Sequence, residues 1–154
     1  MHTIDRITIR APIERVFSVA RDVERWPEIL PHYRWVRMLE RRPDGGRVEM
    51  AAWRPFGPPP LRYPAWWVAE MDVGPEAREI RYRHVAGITA GMDVRWSLRE
   101  TMNGVAVEVL HQWTGPAWPV VGRFAADRVI GPVFIHGIAA RTLAGIRRRA
   151  EVTP

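Results

Sequence analysis

The chain lacks cysteine altogether, which excludes disulfides, thiolate nucleophiles and cysteine zinc sites. Lysine is missing too: all 23 basic side chains are arginine, so neither Schiff-base chemistry nor a Walker A phosphate loop is available. No apolar run approaches the roughly 18 to 20 residues that a membrane-spanning helix needs. The first residues, Met1 to Asp5, do not form the charged and apolar regions of a signal peptide, so a cytoplasmic location is expected. The five histidines show no helical or short strand pairing of the kind that holds a metal. No Gly-x-Gly-x-x-Gly follows a strand, and neither Ser18 nor Ser97 sits in a glycine-flanked nucleophile elbow. No cofactor is therefore expected.

What the 154 residues do contain is 47% hydrophobic and 26% charged, the balance of one globular domain spanning residues 1–154. The formal charge of +6 comes from scattered arginines, clustered only at Arg147–Arg149. Scatter argues against nucleic acid, which needs a basic stripe interleaved with exposed aromatics. A peripheral contact with an anionic membrane stays open on charge alone. Oligomeric state is not readable.

Ile7 and Ile9 alternate with Thr8 and Arg10, a strand with one apolar face. Pro12 suits the first turn of a helix whose stripe is Ile13, Val16, Phe17 and Ala20. Trp26-Pro27 should interrupt that helix, since proline disfavours helical geometry in the residue before it, and a short helix over 27–30 should follow. Strand patterns then run over 34–41, 47–54, 63–73, 78–85, 89–101 and 105–114, with turns at Pro43–Gly46, Gly74-Pro75 and Asn103-Gly104. The proline run over 55–60 predicts a stiff connection outside any strand interior. After Gly115-Pro116 the period becomes helical, with Ile135, Ala139, Leu143 and Ile146 on one face and a kink expected at Gly131-Pro132.

This β–α–α–six β–α order, together with Asp22-Val23-Glu24-Arg25-Trp26-Pro27, Trp96 in the penultimate strand and Pro119–Arg123 before the last helix, resembles the START-like superfamily. The nearest branch is that of polyketide cyclases/dehydrases and coenzyme-Q-binding proteins. The resemblance implies an α+β helix-grip fold: a curved seven-stranded antiparallel sheet around a long C-terminal helix, with two short helices after strand 1. It also implies a cavity between sheet and helix for an apolar ligand. The proline run over 56–61 departs from the family pattern. The family holds both carriers and enzymes, so fold alone does not choose between them.

Strand alternation supplies a cavity list of its own. The inner rows read Val48, Met50, Ala52 and Arg54; Tyr63, Ala65, Trp67, Ala69 and Met71; Ile80, Tyr82 and His84; Met92, Val94, Trp96 and Leu98; and Val105, Val107, Val109, His111 and Trp113. Flat amphipathic rings suit an aromatic or isoprenoid ligand. Arg54, Trp67, Tyr82, His84, Trp96, His111 and Trp113 are the expected ligand contacts. Two functions follow. One is binding of a polyketide- or quinone-like small molecule without turnover. The other is an aromatase/cyclase or dehydratase, with His84 or His111 as base and Arg54 and Tyr82 as donors to an enolate.

Overall fold

In the computed structural model, residues 1–55, 58, 60–115 and 135–152 are described. Seven strands, β1 (His2–Ile9), β2 (Tyr33–Arg42), β3 (Gly45–Pro55), β4 (Arg62–Gly74), β5 (Glu79–Gly87), β6 (Asp93–Thr101) and β7 (Gly104–Gln112), form one antiparallel sheet. Its order is β1-β7-β6-β5-β4-β3-β2, so β1 and β2 are the two edges although sequence places them first. Between them run α1 (Ile13–Arg21), a 3-10 turn at Val23–Arg25 and α2 (Trp26–Ile29). The chain closes with α3 (His136–Glu151), which packs on β1, β3, α1 and α2. This is the helix-grip arrangement of an α+β fold.

Period-2 alternation builds the core. Val48, Met50 and Ala52 of β3, Ile80 and Tyr82 of β5, and Val105, Val107 and Val109 of β7 are all buried on the side facing α3. Val16, Phe17 and Ala20 of α1 and Ala139, Leu143 and Ile146 of α3 supply the opposing layer. A side chain at Gly145 would run into Leu30, which is why α3 can cross the end of α2 so closely.

Three local expectations change. Trp26 adopts right-handed helical geometry (φ −57°, ψ −39°) and begins α2 even though Pro27 follows. The interruption falls earlier, at Asp22 (ψ 64°). Proline disfavours the helical region before it without forbidding it, and here the buried indole, whose Nε1–H donates to Val19 O at 3.2 Å, fixes the residue. The predicted strand over 89–101 starts only at Asp93, because residues 88–92 form the β5–β6 turn. Tyr63 shares the parity of the inner row of β4 but is 51% exposed, since it lies beyond the sheet's packed area. The expected kink at Gly131-Pro132, the Pro119–Arg123 segment and residues 56, 57 and 59 of the proline run lie outside the described residues.

Candidate ligand-binding cavity

A cavity opens between the inner face of β3–β7 and the start of α3. Its volume is about 80 Å3, and it is open to solvent. Trp67, Tyr82, His84, Trp96 and His111 all line it. Arg54 and Trp113 are buried but do not stand on its wall. Trp113 instead turns its Nε1–H to Ala90 O at 3.0 Å and helps fasten the β5–β6 turn. Burial lowers the pKa of Arg54 from the usual guanidinium value.

An unbroken series of rings forms much of the wall. Trp96 meets Trp26 at 5.8 Å between centroids, Trp26 meets Tyr33 edge-on at 5.3 Å, and Tyr33 meets Trp67 at 6.2 Å. Trp67 then stacks on His84 at 5.8 Å with the planes only 5° apart. Trp26, from the segment that carries the family resemblance, thus serves packing and cavity alike. Met50 and Met92 fill the remaining wall with unbranched, adaptable side chains.

His84 is aimed by its strand and by the turn that follows. A bulge at Val85 lets β5 keep Tyr82 and His84 facing in while pairing resumes at Ala86. Gly87 (φ +91°) then brings the backbone so close to Trp66 O and Trp67 that no side chain would fit. The turn folds back, with Gly91 N–H donating to His84 O at 2.8 Å and His84 N–H to Met92 O at 2.8 Å. This delivers the buried Thr89 hydroxyl to His84 Nδ1 at 2.6 Å. Burial, with a smaller repulsion from His111, pushes the His84 pKa down to about 3. The ring is neutral at pH 7.

His111 is set by the neighbouring edge strand. Thr3 lies opposite it in the β1–β7 register, with Oγ1 3.3 Å from His111 Nδ1. Asp5, two residues along the same face and 5% exposed, brings Oδ2 to 3.9 Å from the same nitrogen. Its Oδ1 is hydrogen-bonded to His136 Nδ1 at the start of α3, whereas Oδ2 is buried with no hydrogen-bond partner. Burial raises the Asp5 pKa, opposed by the charge and hydrogen bond of His136. Burial alone lowers that of His111 to about 4. Each imidazole therefore holds its Nδ1 against protein groups, and among the described residues no hydrogen bond occupies Nε2 of either ring.

Two phenols complete the polar inventory. The Tyr82 hydroxyl is buried without a hydrogen-bond partner, and burial followed by the nearby Tyr33 raises its pKa. Burial likewise raises that of Tyr33, partly opposed by a hydrogen bond with Thr142. Thr142 donates to Ile138 O at 2.9 Å, so at 3.1 Å it receives the Nε2–H of His32. Among the described residues no cluster of metal-ligating side chains occurs.

Thr3, Asp5, Thr89 and Thr142 were not among the sequence-derived candidates. Asp5 and Thr3 could have been found by running the Ile9–Ile7 alternation two steps further toward the N-terminus. Thr89 could not, because its position depends on the turn.

Residues 9–131 match the family described as polyketide cyclase / dehydrase and lipid transport. The chain belongs to that family. Among its relatives is a proposed polyketide cyclase of Streptomyces cyaneus, 30% identical over 115 residues that make up 73% of this chain and 70% of the relative. Another from Streptomyces halstedii is 30% identical over 106 residues, 68% of this chain and 93% of the relative. The Zhui aromatase/cyclase of Streptomyces sp. R1128 has a similar fold, with a TM-score of 0.80 and 19% identity over 98% of this chain and 93% of that one. Membership of the polyketide cyclase family, within the START-like superfamily, accords with the cavity between sheet and α3.

Proposed function

We propose that this member of the polyketide cyclase family binds an aromatic, polyketide- or quinone-like molecule in the cavity under α3. The observation that carries the proposal is the ring series from Trp96 to His84, on a wall that also carries a buried Tyr82 hydroxyl that lacks a partner. A buried unpaired hydroxyl is destabilising, and a ligand carbonyl accepting a hydrogen bond from it would relieve it. Affinity would come from burial of ring area, roughly 25 cal/mol per Å2 before ordering costs. A fused-ring ligand exceeds the 80 Å3 interior, so it would extend into the mouth and displace Met50 and Met92. Incubation with a panel of quinones and aromatic polyketides, followed by mass spectrometry of the retained fraction, tests this. Retention at micromolar concentration, weakened about tenfold in Tyr82→Phe, is the expected result. Retention of none of the panel would sink the reading.

A second reading, turnover as a cyclase or dehydratase, rests on His111. Asp5 and Thr3 both face its Nδ1, so the tautomer with the proton on Nδ1 would leave the Nε2 lone pair toward the cavity. That nitrogen would remove a proton alpha to a ligand carbonyl, and the Tyr82 hydroxyl would hydrogen-bond the developing enolate oxygen. Attack of the enolate carbon on a second carbonyl closes a ring. The proton is then returned to the new alkoxide, and loss of hydroxide with a second proton releases water. A retained product lighter by one water would establish turnover. Its disappearance in His111→Ala, with binding intact, would assign the base; unchanged turnover would clear His111 of that role.

A further inference from the structure

The strongest feature outside the cavity is the end of the β3–β4 hairpin. Register shows why it stands apart. The pairing of β2 with β3 ends at Tyr33–Ala52, and that of β4 with β5 at Trp67–Gly87. Beyond those points, apart from the Trp53 N–H that donates to His32 O at 2.6 Å, the strand partners of Trp53, Arg54 and Pro55 are Pro64, Tyr63 and Arg62, as a two-stranded arm. Leu61 and Tyr63 on this arm, and Trp66 at its base opposite Ala51, are 56%, 51% and 41% exposed. Parity places Trp66 on the outer face and Tyr63 on the inner, so apolar surface is presented on both sides.

The arginines here differ from several others on the sheet, although Arg95 and Arg99 also lack a carboxylate within ion-pair distance among the described residues. Arg42, Arg47, Arg81 and Arg83 each pair with a carboxylate. Arg34 and Arg62 have no carboxylate within ion-pair distance among the described residues; they stack on indoles instead. The Arg34 guanidinium lies 4.4 Å from the Trp53 ring and 4.7 Å from Trp35, and Arg62 lies 4.8 Å from Trp53. Arg37 stacks on Trp35 at 5.4 Å and has only a 3.9 Å contact with Glu49. Glu49, the carboxylate nearest these rings, already accepts the Trp66 Nε1–H at 2.9 Å. Stacking fixes a guanidinium's plane and leaves its N–H edge available to an anion.

We propose that this arm docks the protein on an anionic lipid surface, with Leu61, Tyr63 and Trp66 entering the headgroup layer and Arg34, Arg37 and Arg62 binding lipid phosphates. Indole and phenol rings favour the membrane–water interface, and juxtaposed arginines favour anionic headgroups. Apolar exposure on both faces selects a fluid partner, because a rigid protein surface would cover only one face. The inference is independent of what the cavity holds.

Vesicle flotation of the whole chain tests it, using phosphatidylcholine alone and phosphatidylcholine mixed with phosphatidylglycerol. The protein should float with the mixed vesicles and stay behind with the neutral ones. Arg34→Gln with Arg62→Gln, and separately Leu61→Ser with Trp66→Ser, should each weaken flotation by about tenfold or more. Arg81→Gln, a carboxylate-paired arginine, should float like the parent, and a melting curve for every variant shows that the fold persists. No flotation with anionic vesicles at low salt overturns the proposal. So does equal loss in Arg81→Gln, or retention on soluble poly-glutamate without vesicle binding, which would point to an acidic protein partner.

Discussion

The two faces of one sheet solve the problem of polar groups in opposite ways. On the outer face of β2 to β5, Arg42 and Arg47 share Glu70, Arg81 meets Glu79, and every partner is in contact with water. On the cavity wall the histidines and Tyr82 are kept neutral: His84 and His111 have lowered pKa values, Tyr82 a raised one, and among the described residues no arginine–carboxylate pair lines the cavity. Apart from the buried Asp5 and Arg54, charges stay outside because desolvating them is expensive, and neutral donors stay inside because they can be satisfied singly. The stability of the fold should therefore reside almost wholly on the inner face, while the outer pairs should be nearly silent.

The largest effect is expected from Trp96→Ala. Trp96 is 5% exposed, contacts Trp26 and stands on the cavity wall. Its removal should destabilise the protein by about 3–5 kcal/mol in a urea titration. A loss below about 1 kcal/mol would mean that the wall is slack and the inner face is not where stability lies.

Acid comes next. His84 and His111 bind protons at about pH 3 and 4 when folded and near the ordinary value of 6.5 when unfolded. Between those values the unfolded chain carries more protons, so stability falls as pH falls from 6.5 toward 4. Each ring contributes up to about 1.4 kcal/mol per pH unit to that fall. His84→Gln should remove one ring's share of the slope, measured as unfolding free energy against pH. An unchanged slope would place His84 in contact with water in the folded protein.

Much of this division was legible in the sequence, since alternation alone assigned Trp67, Tyr82, His84, Trp96 and His111 to the inner face. It misjudged what lies past the regular ladder. Arg54 and Trp113 share that parity but sit near strand ends, where the last residues of a row outrun the cavity. Thr89 was read as the start of a strand; the close approach at Gly87 makes it a turn, and only the turn gives His84 its partner. The arm of β3–β4 was legible as a proline-rich interruption, but its exposed rings follow from where β2 and β5 stop pairing, which is a property of register rather than of composition.

The smallest effect is the sharpest check on the comparison. Arg81 is bonded to Glu79 at 2.7 Å and its side chain is 65% exposed, so the pair is worth little in water. Directly across the β5–β6 ladder stands Arg95, and like charges facing each other across antiparallel strands repel. Arg81→Gln thus removes a weak attraction and a weak repulsion together, while its aliphatic stem still covers the sheet. The two changes oppose each other, and the unfolding free energy should move by no more than about 0.5 kcal/mol in either direction. Raising the salt concentration should shrink even that difference, because both contributions act between screened surface charges. A destabilisation of about 2 kcal/mol or more would show that the outer arginines carry structural weight, and the contrast between the two faces would then fail on its quieter side.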